Sequence, residues 1–261
     1  MPLYETGTVI KVDRILQAVD HRLGSVFTIK AIVRAAGGER EVAVKTVSGR
    51  RLANELAAAW AARKLDVPHA APFLADDPKK LLDAAVGLSV SGGVNGRFFA
   101  SAFSGLPAFK SGNYANTMAL VASPAFRATI IFDVLIANTD RVDRNFLHSG
   151  GDYCLIDHDK AFMGEAWTAD VLPRCIDITP ETSLFEGNLV YAGATARADI
   201  DALAAQQAGR ISAADADDLD ELELMGLISS DDVAALKDFL VRRSADIQAL
   251  VQSVMARNSP A

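Results

Sequence analysis

"ANTDRVDRNFLHSGGDYCLIDHDKAF", residues 137 to 162, crowds five aspartates and two histidines between short apolar runs instead of spreading them over a surface. Asp140 and Asn145 lie five apart in NTDRVDRN, and the apolar pair Phe146-Leu147 follows at once. Past the HSGGD turn, YCLID is a second apolar run that ends on Asp157. Two such runs around a Gly-Gly turn predict a hairpin whose ends bring Asp140, Asn145 and Asp157 together. That set meets the needs of phosphoryl transfer. One carboxylate orients or deprotonates an acceptor hydroxyl, while an amide oxygen and a second carboxylate hold Mg²⁺ on nucleotide phosphates. Asp and Asn are also common loop residues, so the reading needs partners elsewhere in the chain.

"REVAVKTV", residues 40 to 47, supplies one. It places Lys45 at the end of an apolar strand, as the lysine of V-A-I-K is placed in protein kinases. "RRLANELAAAWAARKL", residues 50 to 65, predicts a helix that the Val67-Pro68 boundary ends. Glu55 falls there beside Leu52, Leu56 and Ala59, on or next to the apolar stripe. A carboxylate in that position wants a cation, and Lys45 is the candidate.

The sequence resembles the HipA-like kinases, a branch of the protein-kinase-like fold that also includes the phosphoinositide kinases. The residues that carry the resemblance are VAVK with NEL, FASAFSG as a connection between lobes, FDVLIANTDRVDRN and LIDHDKAF, over roughly residues 20 to 165. The resemblance implies an α+β, bilobal protein-kinase-like fold. Residues 1–103 would be a lobe of antiparallel sheet with one helix that covers the nucleotide, and residues 104–261 a larger, mainly helical lobe. It further implies Asp140 as the catalytic-loop aspartate, Asn145 and Asp157 as metal ligands, Lys45 as the phosphate-pairing lysine and Glu55 as its helix partner. No G-x-G-x-x-G precedes Lys45; in its place HRLGSVF offers Gly24 and Ser25 to turn the chain over the phosphates. Asp157 is followed by His158-Asp159 where protein kinases have Phe-Gly, a departure that favours the HipA-like branch.

Outward from these motifs, residues 7 to 12, 25 to 34 and 40 to 47 predict a meander, with the Gly37-Gly38 turn between the last two. Runs at 85 to 91 and 97 to 103 predict two further strands. Ser123-Pro124 predicts a helix start, with the helix reaching about Ile136. Later helices are predicted over 195 to 208, over 213 to 225, and from a cap near Ser230 to the C-terminal region.

The net charge is −7, and residues 212 to 232 hold eight acids and no base, which leaves 25 acids against 26 bases elsewhere. That acidic run reads as a solvated helical face. The absence of a basic stripe argues against nucleic-acid binding. No apolar run reaches the ~18 residues of a membrane span, and the opening MPLYETGTVIKV has no leader pattern, so a cytoplasmic location is expected. Cys154 and Cys175 are too few for a disulfide framework. With His148 and His158 they fit no zinc spacing, and DRVDRN lacks the glycine and glutamate of a calcium loop.

Asp133, a charge inside the apolar IIFDVLI, is expected to accept hydrogen bonds from the loop that follows. Arg141 and Arg144 are expected to neutralise nearby aspartates, and Phe99 and Phe103 to belong to the core rather than to a base-binding surface. The expected reaction is transfer of the γ-phosphoryl of ATP, with Mg²⁺, to a hydroxyl acceptor, with Ser or Thr of a protein favoured by the resemblance. A nucleotide-binding pseudokinase or partner-binding module, an adenylyl transferase, and a small-molecule or lipid kinase remain open alternatives.

Overall fold

The computed structural model describes residues 3–21, 24–77, 79–87, 95–102, 106–107, 123–142, 145–149, 152–182, 189 and 192–258. Its first half is built on strands β1 (Glu5–His21), β2 (Gly24–Ala35), β3 (Gly38–Lys45), β4 (Pro72–Asp76) and β5 (Arg97–Ala102). They close into a barrel in the order β1-β2-β3-β5-β4, and every neighbour is antiparallel except the β1–β4 pair that seals it. Closure is the solution to exposed sheet edges. Gly7 of β1 lets β2 approach closely, since an added Cβ would lie 2.3 Å from Cγ1 of Val33.

Period-two alternation divides the packing into two cores. Ile29, Ala31 and Val33 of β2, Val42 and Val44 of β3, Phe73 and Ala75 of β4, and Phe98 and Ala100 of β5 fill the barrel. Leu74 and Phe99, the alternate residues, leave the barrel and join the larger core. There they meet helix α1 (Gly49–Lys64), whose residues from Leu52 to Ala62 are all buried. Its run of alanines lets neighbouring elements approach on every side.

Two expectations are corrected. The run from residue 85 does not begin a strand: Leu81–Val86 is helix α2, because the Asp77 carboxylate accepts from the backbone N–H of Leu81 and Leu82 at 2.9 and 2.8 Å. Residues 88 to 91 of that run lie outside the described residues, as do Phe103 and Arg144. The missing strand is β4, too short for its alternation to be read. Its pairing with β1 also makes a closed barrel of what was expected to be a wholly antiparallel sheet.

The second half opens with helix α3 (Pro124–Leu135), started as expected by Ser123, whose hydroxyl accepts from Phe126 N at 3.2 Å. A small sheet in the order β6-β7-β8 is formed by Leu106–Pro107, which precedes α3, with Phe146–Ser149 and Asp152–Leu155, which follow it. Helices α4 (Ala194–Gln207), α5 (Ser230–Ala245) and α6 (Ile247–Arg257) pack around α3. Among the described residues no helix is long and apolar enough to cross a membrane.

The acidic run is helical from Ala213 to Leu224, as expected, with Asp217, Asp220, Glu223 and Asp231 exposed to solvent. Three contiguous turns make it up, Ala213–Ala216, Asp217–Asp220 and Glu221–Leu224, and several of its acids also pair with groups of neighbouring helices. Lys64 pairs with Asp215 at 2.7 Å and Trp60 Nε1 donates to Asp218 at 3.0 Å, both from α1. Lys237 of α5 meets Asp217 and Asp220 at 2.9 and 2.8 Å. A helix dense in like charges is disfavoured unless cations draw the charges apart.

Candidate phosphotransfer site

β3 ends on Lys45, which pairs with Thr28 of β2 on one side and Phe99 of β5 on the other. Its ammonium donates to Oε1 of Glu55 and, at 2.6 Å, to Oδ1 of Asp157. Glu55 is 2 % exposed and is held from the other side by the backbone N–H of His158, which donates to Oε2 at 3.0 Å. Residues ten and 112 positions apart thus meet at one nitrogen.

Burial pushes the Lys45 ammonium down, but the carboxylates of Asp157 and Glu55 outweigh it and hold the group above its ordinary value. Burial likewise raises Glu55, yet the Lys45 charge and the His158 hydrogen bond bring it from 4.5 to about 2. A carboxyl depressed in the folded state stabilises the fold above its ordinary value, and that contribution is lost as pH falls through the folded value. Urea-unfolding stability should therefore fall as the pH goes from 4.5 towards 2, and Glu55→Gln should flatten that fall. An identical acid profile in the variant would show that the pair does not contribute.

Asp157 sits at φ +66°, a left-handed conformation that Asp and Asn tolerate better than other side chains. It follows β8 directly. The expected hairpin is present as β7–β8, with Phe146 opposite Leu155, and Ile156 N donates to Asn145 O at 3.1 Å just beyond it. That bond sets Asn145 beside the residue that precedes Asp157. Asn145 is 3 % exposed, and its Nδ2 donates to Asp140 O at 3.2 Å. Asp140 itself is exposed. Burial, and then the charge of Asp157, push the carboxyl of Asp159 up to about 6, as befits two carboxylates crowded against one lysine.

The loop carrying Asp140 is anchored from below. Asp133, 0 % exposed in α3, accepts from Arg141 Nε and Nη2, both at 2.8 Å, and from Asn138 Nδ2 at 3.1 Å. Arg141 spends its remaining Nη1 on Ile156 O at 2.8 Å, so one side chain joins the α3 aspartate to the strand end that carries Asp157. Asp133 thus accepts from the following loop as expected. Arg141 neutralises an aspartate as expected, although that aspartate lies in the helix eight residues back.

Gly24 and Ser25 stand at the tip of the β1–β2 hairpin, paired with His21 and Asp20. Four residues separate Gly24 from Thr28, the partner of Lys45, so the tip reaches roughly 13 Å past Lys45 along the strand. Phe99 lines a small pocket with Glu55, Ala59, Ser101, Leu155 and Asp157 while also belonging to the larger core.

No protein-family model matches the chain, and no curated protein matches it in sequence. In three dimensions it is similar to the crystal structure of the Helicobacter pylori proinflammatory kinase CtkA, at a TM-score of 0.58 over 98 % of this chain and 100 % of that one, with 11 % sequence identity. The fold is kinase-like. At that identity the likeness is one of mixed α+β architecture, and the chemistry has to be argued from the residues.

Beyond the expected set, the His158 backbone holds Glu55, and Asn54, one residue before Glu55 in α1, donates to Asp159 O at 2.9 Å. The sequence assigns neither a role: Asn54 stands in the NEL that carries the resemblance, but an asparagine in an alanine-rich helix declares no partner, and a main-chain N–H carries no signal. Cys154 and Cys175 are buried free thiols.

Proposed function

We propose that the protein is a HipA-like phosphotransferase that moves the γ-phosphoryl of Mg²⁺-bound ATP to a hydroxyl, with a protein Ser or Thr favoured as acceptor. In this reading the fold works as two lobes, residues 1–103 covering the nucleotide and residues 104–261 supplying the loop and the metal ligands. The observation that carries it is the meeting of Lys45, Glu55 and Asp157 at one buried lysine nitrogen, beside a loop that exposes Asp140. A structural ion pair needs only two partners. A lysine with a second carboxylate at a cleft is what binding a polyanion through a divalent cation requires.

The donor set suits magnesium. Asn145 and Asp157 offer hard oxygens, few enough for phosphate oxygens and waters to complete an octahedron. Bound there, the ion would neutralise charge developing on the transferred group. Lys45, its direction fixed by Glu55, would pair with the phosphates, and Gly24 and Ser25 at the hairpin tip would cover them. Asp140 would accept or orient the acceptor hydroxyl's hydrogen, its backbone N–H steadied by Asn138 Oδ1 at 3.2 Å. The description of CtkA as a kinase agrees with this reading.

The test is incubation with Mg²⁺ and ATP labelled separately at the γ- and α-phosphates, wild type beside Asp140→Ala, in a lysate supplying acceptors. Movement of the γ-label that Asp140→Ala abolishes is the expected result. Movement of the α-label would make the protein an adenylyl transferase, and binding with neither label moved would make it a nucleotide-holding module.

A further inference from the structure

The helix that carries Glu55 is not free to swing. One residue earlier, Asn54 is 0 % exposed, and its side-chain nitrogen lies within hydrogen-bond reach of three carbonyls in the loop after Asp157: Asp159 O at 2.9 Å, Ala161 O at 3.0 Å and Gly164 O at 3.0 Å. Its oxygen accepts from Trp167 Nε1 at 2.9 Å. Both ends of a buried amide are thus committed to one distant segment, 105 to 113 residues along the chain. Arg50, one turn earlier, stacks over the Trp167 ring at 4.3 Å and pairs with Asp232 at 2.9 Å.

The loop that Asn54 grips is unusual in its backbone. Phe162, Met163 and Gly164 have φ of +58°, +67° and +99° in succession, after Asp157 at +66°. Non-glycine residues in that region persist only where their surroundings determine them. The surroundings here are Ile136 O and Ala137 O, which accept from Phe162 N at 2.6 Å and Met163 N at 3.1 Å, together with Asn54. Ile136 and Ala137 lead directly into the loop that carries Asp140. The strained loop therefore touches α1 on one side and the approach to the catalytic loop on the other, with Asp157 at its start.

We propose that Asn54 is a positioning residue of the phosphotransfer site: by clamping α1 to the loop after Asp157 it builds the Lys45–Glu55–Asp157 arrangement into the fold, so that no separate switch has to assemble it. The inference rests on the phosphotransfer reading for its kinetic consequence and on geometry alone for its structural one. Glu55 supplies the charge that orients Lys45. Asn54 sets the rotation and height of the helix turn that presents Glu55, and in the same bonds sets the loop that presents Asp157.

The test uses the full chain in four forms: wild type, Asn54→Ala, Trp167→Phe, which removes the Nε1 donor and leaves a smaller aromatic ring, and Ser244→Ala as control. Ser244 is buried in α5 and accepts from Ile211 N at 3.0 Å, so its loss removes a buried hydrogen bond that involves neither α1 nor the loop after Asp157. Amide hydrogen exchange at Phe162 and Met163 and Mg²⁺-ATP turnover are read at temperatures equally far below each melting point.

Asn54→Ala should exchange those amides at least tenfold faster and lower kcat at least tenfold, with Trp167→Phe intermediate and Ser244→Ala within twofold of wild type in both. Asn54→Ala matching Ser244→Ala in turnover would overturn the proposal. If wild type itself turns over no Mg²⁺-ATP, the phosphotransfer reading fails separately. The exchange arm then decides the clamp, and unchanged protection in both Asn54→Ala and Trp167→Phe would sink it.

Discussion

Asp157→Asn should abolish Mg²⁺-ATP turnover while leaving the fold nearly intact. Asparagine is the informative replacement because residue 157 sits at φ +66°, where Asn is tolerated and Ala would add backbone strain to the loss of charge. The substitution keeps size and conformation and removes the anionic oxygen that accepts from Lys45 at 2.6 Å. Lys45 keeps Glu55, so no buried charge is stranded and the melting temperature should move by no more than a few degrees. Loss of outer partners of metal ligands costs roughly 10- to 100-fold, so loss of a ligand should exceed about 100-fold in kcat/KM. The decisive comparison is ATP affinity with and without Mg²⁺, which should differ in wild type and coincide in the variant. Turnover within tenfold of wild type would remove Asp157 from the metal site.

The second large effect is on stability. Asp133 and Arg141 are both fully buried, joined by two hydrogen bonds of 2.8 Å, so removing either strands the other's charge. Asp133→Leu should cost about 3–5 kcal/mol, a large share of the ~5–15 kcal/mol by which domains are stable. At this chain length that is a fall of roughly 6–20 °C in melting temperature. Asp133→Leu combined with Arg141→Met should recover much of the loss, since a packed apolar pair often replaces a buried ion pair without penalty. Activity should not return with stability. Without Arg141, nothing joins α3 to Ile156 O, and without Asp133, Asn138 loses an acceptor and Asp140 N a fixed neighbour. A double variant as active as wild type would show that the pair serves stability alone.

The candidate site was legible because its chemistry is written in short segments. VAVK is a strand pattern whose last residue must leave the apolar run, and NEL puts a carboxylate on an apolar helix face. The run from residue 137 to 162 brackets a hairpin with three oxygen-bearing side chains. Each motif is local, and local patterns survive in sequence.

What failed was non-local. β4 has five residues, and it is a strand because β1 and β5 flank it, a pairing that its own sequence does not encode. The run read as a strand from residue 85 overlaps the end of a helix that covers residues 81 to 86, where six residues are too few to separate the two periods and an aspartate at 77 caps the turn. The cations that the acidic run meets, Lys64 and Lys237, were not legible because they lie far away in sequence or on a separate helix.

Sequence alone therefore determined which polar side chains make up the candidate site and the order in which they occur: Lys45, Glu55, Asp140, Asn145 and Asp157. It determined them because side-chain chemistry and strand or helix period are properties of neighbouring residues. Only the tertiary structure decided that the sheet closes, that Glu55 and Asp157 share one lysine, and that Asn54 locks the helix to the loop. Those facts depend on groups about a hundred residues apart reaching hydrogen-bond distance inside a core from which water is excluded. In that setting an unmet polar atom costs more than the strain needed to satisfy it.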